Sequence, residues 1–271
     1  ITAVDAVNIV AAGGGGLVGK QSATGKTSIS DAIFYVVNSQ FEVFKCIYNG
    51  EGPGFASGQI STNEPKTAPS AGQGSYDGAT GLFTEEPGNA GYVWKYLYTI
   101  PTQDVIRFLS TDFLPIVEAT EATRVATEGL AIDGAVHVTI IEDAGGNLPN
   151  TSGTPHYAPI IGDGTGGIAA ITVVAGAITE ATVVDPGSGY TYASVPLVTG
   201  VGSGATAYGL FQEQTFTTSV TDDPATATGA LEAIISPQGG HGSNMELELN
   251  SKRVMTNIRL TYAEGSGDFP V

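Results

Sequence analysis

Apolar residues in this chain fall mostly at every second position or in short unbroken runs, and rarely at the spacing of a helix. Two such runs, Ile33 to Val37 and Phe41 to Tyr48, are separated by Asn38-Ser39-Gln40, which predicts a hairpin. In the second run Phe41, Val43 and Ile47 share one face, and Phe44, Cys46 and Tyr48 the other. Both faces are apolar, so this strand is expected to be covered on both sides. AVHVTIIE (135–142) alternates, with Val136, Val138 and Ile140 inward and His137 and Thr139 outward. Ile168 to Val174 and Ala177 to Val184 read as a hairpin over Ala175-Gly176, followed by a tight turn in DPGSGYT (185–191). VMTNIRLTY (254–262) alternates again, with Val254, Thr256, Ile258, Leu260 and Tyr262 on one side and Asn257, Arg259 and Thr261 on the other, Met255 being the exception. In YVWKYLYTI (92–100) a strand would put Tyr92, Trp94, Tyr96 and Tyr98 on one face. The best helical segment is TQDVIRFLSTDF (102–113), with Thr102 as cap, Asp104 in the first turn and Val105, Ile106 and Leu109 on one face. Pro101 and Pro115 bound it.

Two stretches break this texture. Residues 50–91 are rich in Gly, Pro, Ser and Thr and exceed an ordinary connection, so they read as a functional loop or an extended arm. Residues 151–211 hold a weak repeat: Pro159 leads to Gly164-Thr-Gly166-Gly167, and Pro196 leads to Gly202-Ser-Gly204. The expected fold is mainly β, a multi-domain β-sandwich architecture with few short helices and long loops. Residues 1–118 would form the N-terminal part of a main domain carrying the arm 50–91. Residues 119–212 would be an inserted β domain, and 213–271 the C-terminal part of the main domain.

Composition sharpens the picture. Only 14% of the 271 residues are charged, against roughly 25% in ordinary soluble proteins, and 38 are glycine. Turns and strands are favoured over long helices. The net charge is −17, and the 10 Lys and Arg are scattered. A nucleic-acid surface needs a positive footprint, and an anionic membrane attracts basic clusters, so neither partner is expected. No apolar run approaches the ~18 residues of a membrane span, and residues 1–20 lack the charged start of a secretion signal. Cys46 stands alone, so no internal disulfide can form, and its apolar surroundings predict a buried thiol.

Candidate chemistry is thin. GGGGLVGKQSATGKT (13–27) approaches a phosphate-cradling loop twice and fails twice. Gln21 stands where the hydroxyl should follow Gly19-Lys20, and Lys20 stands where a glycine should precede Gly25-Lys26-Thr27. His137, His156 and His241 show no short-range metal spacing. GDGTGG (162–167) has the flavour of a calcium repeat but lacks the nine-residue period. Asp222-Asp223 could also hold a cation, although a solvated turn is the plainer reading. The aromatic stripe at 92–98 is the strongest pattern. Exposed, it could stack on sugars; buried, it would pack a core or a subunit interface.

Three segments carry a resemblance: FYVVNSQFEVFKCIYNG (34–50), YVWKYLYTIPTQDVIRFLSTDFLPI (92–116) and SPQGGHGSNMELELNSKRVMTNIRLTYAEGSGDFP (236–270). Their sharpest pieces are Tyr-Val-Trp-Lys-Tyr at 92–96, Gly-Gly-His-Gly at 239–242 and Gly-Asp-Phe-Pro at 267–270. Together they resemble the baseplate wedge protein of T-even-type contractile-tailed bacteriophages, the wedge subunit that forms β-rich dimers. The glycine-rich start and residues 151–211 have no counterpart in that resemblance. It implies a virion component that is no enzyme, binds no cofactor, metal or small-molecule substrate, and dimerises with itself. Such a protein joins other wedge proteins and takes part in the baseplate's change of shape on infection, after assembly in the host cytoplasm. Tyr92, Trp94, Tyr96, Tyr98, Gly239, Gly240, His241 and Gly242 are then the expected interface residues. The alternative is a carbohydrate-binding, β-rich tail adhesin, motivated by the aromatic stripe and the repeat.

Overall fold

A computed structural model describes residues 34–49, 61, 63–85, 92–146, 148, 155–195 and 228–258. The chain is mainly β, with several antiparallel sheets and, among the described residues, three helices. The first sheet contains β1 (Tyr35–Val37), β2 (Glu42–Asn49), β3 (Gly74–Asp77), β4 (Leu82–Glu85) and β5 (Tyr92–Thr99) in the order β1-β2-β5-β4-β3. The predicted β1–β2 hairpin forms. Asn38 organises its turn: Oδ1 accepts the N–H groups of Gln40 and Glu42, both at 2.9 Å. Residues 63–85 are not a free arm, because they supply β3 and β4 to this sheet. The remaining positions of the 50–91 stretch apart from 61, like 13–27 and the second repeat copy from Pro196, lie outside the described residues.

Strand β5 is bulged. Val43 pairs with Tyr98 but Phe44 pairs with Tyr96, leaving Leu97 as the extra residue. The bulge breaks the predicted stripe. Tyr92, Trp94 and Tyr96 stay with Phe34, Phe44, Cys46 and Phe83. Tyr98 turns instead, beside Leu97, into a second core with Val43, Ile100, Val117, Met245 and Leu249. That core is also packed by Val105 of α1 (Thr102–Phe108) and by Leu109 just past its end. The predicted helix is therefore real but shorter than 102–113. A second helix, α2 (Ala122–Gly129), has no apolar stripe to announce it. It starts where the Glu121 carboxylate accepts the N–H groups of Thr123 and Arg124. It is fixed by Arg124, whose guanidinium forks onto the Glu246 carboxylate at 2.8 and 2.9 Å and donates to Val117 O at 2.9 Å. Glu246 lies on α3 (Met245–Glu248), which Asn244 caps by accepting Leu247 N–H at 2.9 Å.

A third core gathers Val136, Leu148, Ala158, Ile160, Ile171, Val173, Ile178 and Tyr190. Its strands are β6 (Val136–Gly146), β7 (His156–Pro159), β8 (Ile161–Gly162), β9 (Ile168–Val174), β10 (Ala177–Asp185), β11 (Ala193–Ser194) and β12 (Thr228–Ile235). They form the sheets β10-β9-β7, β11-β8 and β12-β6. The β9–β10 hairpin forms as predicted, with Ala175 and Gly176 at φ 53° and 81°, the left-handed pair of a two-residue turn. The boundary at 213 does not hold: β12 pairs with β6 and adds Leu231, Ala233 and Ile235 to this core.

Tyr190 is the centre of the glycine-rich loops. Its hydroxyl donates to Ile160 O at 3.0 Å and accepts Gly167 N–H at 3.1 Å. A Cβ on Gly164 would stand 2.4 Å from the Tyr190 ring, and one on Gly187 would stand 2.8 Å away. The glycines of GDGTGG and DPGSGY thus make room for one ring. Asp163, suggestive of a cation ligand in the sequence, instead accepts Thr191 N–H at 2.8 Å and Tyr192 N–H at 3.2 Å.

Two alternation readings are corrected. His137 and Thr139 do not face water: both are buried beside Val136 and Val138, so β6 is covered on both faces. Residues 254–258 are not in a strand. They are exposed, and among the described residues no strand pairs with them.

Candidate functional site

Beneath the first sheet lies a buried cluster of charged side chains that alternation rules did not foresee. Lys45 of β2 and Lys95 of β5 stand directly opposite one another in register. Like charges across a strand pair repel, so each is compensated separately. Lys45 Nζ pairs with Glu248 Oε1 at 3.0 Å. Lys95 is fully buried and donates to Thr80 O at 2.5 Å. Burial lowers the Lys95 ammonium to about 8, although Glu248 and Asp77 pull it upward.

Glu248 is delivered by α3, and the Gly-Gly-His-Gly turn just before that helix brings His241 onto it. The turn requires glycine for two reasons. Gly239, Gly240 and Gly242 all have φ between 85° and 87°. A Cβ on Gly240 would also stand 2.5 Å from both Ile132 N and Ile132 O. So folded, His241 Nδ1–H donates to Glu248 Oε1 at 2.6 Å, and Gly242 N–H approaches Oε2 at 3.5 Å. Burial alone would raise the Glu248 carboxyl; the His241 hydrogen bond and Lys45 override it and hold it at about 2. The His137 ring lies 6.0 Å from the His241 ring. Burial, with His241 and Lys95 nearby, lowers His137 to about 3, so it is neutral at physiological pH. Neither His137 nitrogen nor His241 Nε2 has a hydrogen-bond partner among the described residues.

His137 also lines a cleft of about 390 Å³ between the two halves of the structure. Ser75 and Asp77 of β3, Glu85 of β4, Val136 to Thr139 of β6 and Glu180 to Val184 of β10 contribute to its walls. The carboxylates give it acidic walls. Chemically, the cluster behind the cleft is a clamp. The Glu248–His241 pair has the form of a base and its orienting group. However, His241 is 1% exposed, and no hydroxyl or thiol bonds its Nε2 among the described residues. No group of three His, Cys, Asp or Glu that could hold a metal ion is gathered among those residues either.

The eight residues expected at an interface all lie in or against the body of this chain. Trp94 is 2% exposed, with its indole stacked on Tyr92 (centroids 5.5 Å) and edge-on to Phe34 (5.4 Å). Tyr96 meets Phe44, and Tyr98 donates to Pro115 O at 3.0 Å. The stripe therefore offers no platform for stacking on a sugar. The Gly239–Gly242 turn packs on Ile132, Asp133, Thr127 and Lys95. His241 is thus brought to Glu248 and His137, while the aromatic residues are brought to separate cores. Sequence reasoning missed Lys45, Lys95 and Glu248. One signal was available: a lysine in the middle of each of two otherwise apolar strands.

No family model, no curated protein and no solved structure matches the chain.

Proposed function

We propose that this chain is a structural subunit of a contractile-tail baseplate, a wedge protein that dimerises with itself and joins other wedge proteins. In this reading it belongs to the virion, takes part in the baseplate's conformational change on infection and performs no turnover. The resemblance at 34–50, 92–116 and 236–270 motivates it. One structural observation carries it: residues 251–258 belong to no strand and lie on the surface, with Val254 93% and Ile258 83% exposed while Arg253 rests over the Phe113 ring at 5.5 Å. Apolar side chains so bare suit a protein whose surface is completed by a neighbour. The buried clamp fits the same role, since it ties α3 and the turn at 239–242 to the sheet and holds the root of that segment rigid.

The test is electron microscopy of intact tails bearing a label on this chain. Density at the baseplate is the expected result. Label confined to the tail tube, the head or the host envelope would refute the proposal.

A further inference from the structure

We propose that the acidic cleft receives an extended segment from a second copy of this chain, and that residues 251–258 are that segment. The proposal deepens the assembly reading and rests on it for the presence of a second copy. Three strands that each keep an unpaired edge among the described residues meet at the cleft. Among those residues β3 ends the five-stranded sheet, β10 ends the three-stranded sheet, and β6 has β12 as its one strand partner, with Val136 N–H at its start donating to Pro186 O at 2.9 Å. β6 and β10 flank the cleft without joining into one sheet. Open strand edges invite an added strand, whose main chain supplies affinity and whose side chains supply selectivity. The wall also carries buried polar groups in need of partners. His137 is 8% exposed with both ring nitrogens unpaired, and the Thr139 hydroxyl is unpaired as well. Buried groups of this kind are normally satisfied.

Charge selects the occupant. Asp77, Glu85 and Glu180 line the cleft, so it suits a basic, extended peptide. Residues 251–258 read Ser-Lys-Arg-Val-Met-Thr-Asn-Ile, a basic pair followed by the exposed apolar side chains of Val254, Met255 and Ile258, on a chain of net charge −17. Every copy would bear both the segment and the cleft. Two copies related by a two-fold axis would then exchange segments reciprocally and close the assembly.

Thr182, in the cleft wall, and Thr256, in the segment, permit a direct test in the full chain. Cys46 is buried, so introduced thiols are the reactive ones. Chains bearing Thr182→Cys and chains bearing Thr256→Cys are mixed and mildly oxidised. A disulfide-linked dimer between the two variants is expected. No link, or a link formed only within single chains of the double variant at high dilution, overturns the proposal. Independently, Lys252→Glu with Arg253→Glu should weaken self-association by about tenfold or more, with circular dichroism unchanged and the wild-type association falling as salt rises. An unchanged dimer constant overturns the proposal equally. A chain that cross-links in this way but is absent from tails refutes the baseplate reading alone. A baseplate chain lacking the 182–256 link refutes the segment exchange alone.

Discussion

Replacing Glu248 with Gln removes one negative charge and almost no volume, and the structure makes that change severe. The side chain is 5% exposed and lies 3.0 Å from Lys45 Nζ. At that separation and an effective dielectric near 20, the Coulomb attraction lost is roughly 5 kcal/mol. Measured losses on breaking a buried pair are about 3–5 kcal/mol, because the surviving charge stays in the interior uncompensated. Here two ammonium groups would remain, since Lys95 stands across the strand pair from Lys45. We therefore expect Glu248→Gln to lower unfolding free energy by about 3–5 kcal/mol, read as a fall in urea midpoint at unchanged slope. Glu246→Gln is the control. That carboxylate is half-exposed on Arg124, which keeps Glu128 and Val117 O as partners, so the loss should be about 1 kcal/mol. A Glu248→Gln loss no larger than that of the control would refute the buried clamp.

Three further outcomes follow from the same geometry. The folded carboxyl of Glu248, at about 2 against 4.5, contributes stability present above pH 4.5 and lost as pH falls toward 2. His137, at about 3 against 6.5, resists protonation in the fold, so its contribution is lost as pH falls from 6.5 toward 3. Acid unfolding should therefore begin below about pH 6.5, and His137→Leu should flatten the upper part of that slope in pH-dependent thermal melts. Lys95→Met removes a fully buried cation while leaving the Glu248–Lys45 pair intact, so it should be neutral or stabilising by up to about 3 kcal/mol. A loss above about 1 kcal/mol would show that the Lys95–Thr80 bond matters more than the burial of charge. Gly240→Ala adds a Cβ at φ 87° and 2.5 Å from the Ile132 backbone, and should cost more than about 2 kcal/mol by chemical denaturation.

The elements read well from sequence were those whose determinants are local. The β1–β2 hairpin rests on Asn38 bonding its own turn. The β9–β10 hairpin rests on Ala175-Gly176 accepting left-handed backbone. What escaped depends on contacts distant in sequence. Helix α2 has no apolar stripe and is held by Arg124 reaching Glu246, 122 positions away. Tyr98 leaves the aromatic stripe because Leu97 is bulged against β2, a property of the strand pair and not of either strand. His137 read as outward because alternation assumes one wet face, whereas β6 also borders the clamp. The segment 254–258 shows the reverse failure: Met255 already breaks its alternation, and a strand also needs a partner that pattern cannot name. The Gly-Gly-His-Gly turn was recognised as special, yet its purpose, bringing an imidazole to Glu248, was not legible without α3 beside it.

Tyr190 and the glycines around it carry a consequence for how this half of the molecule can change over time. Four glycines (162, 164, 167 and 187) each have their missing methyl group within 3 Å of atoms of that one phenol. None can acquire a side chain while the ring remains, and removing the ring would open a void that single methyl groups fill poorly. The phenol and its four bare neighbours therefore form a single heritable unit. In relatives of this chain they should be kept together or replaced together, and a drift series that alters one alone should stall there.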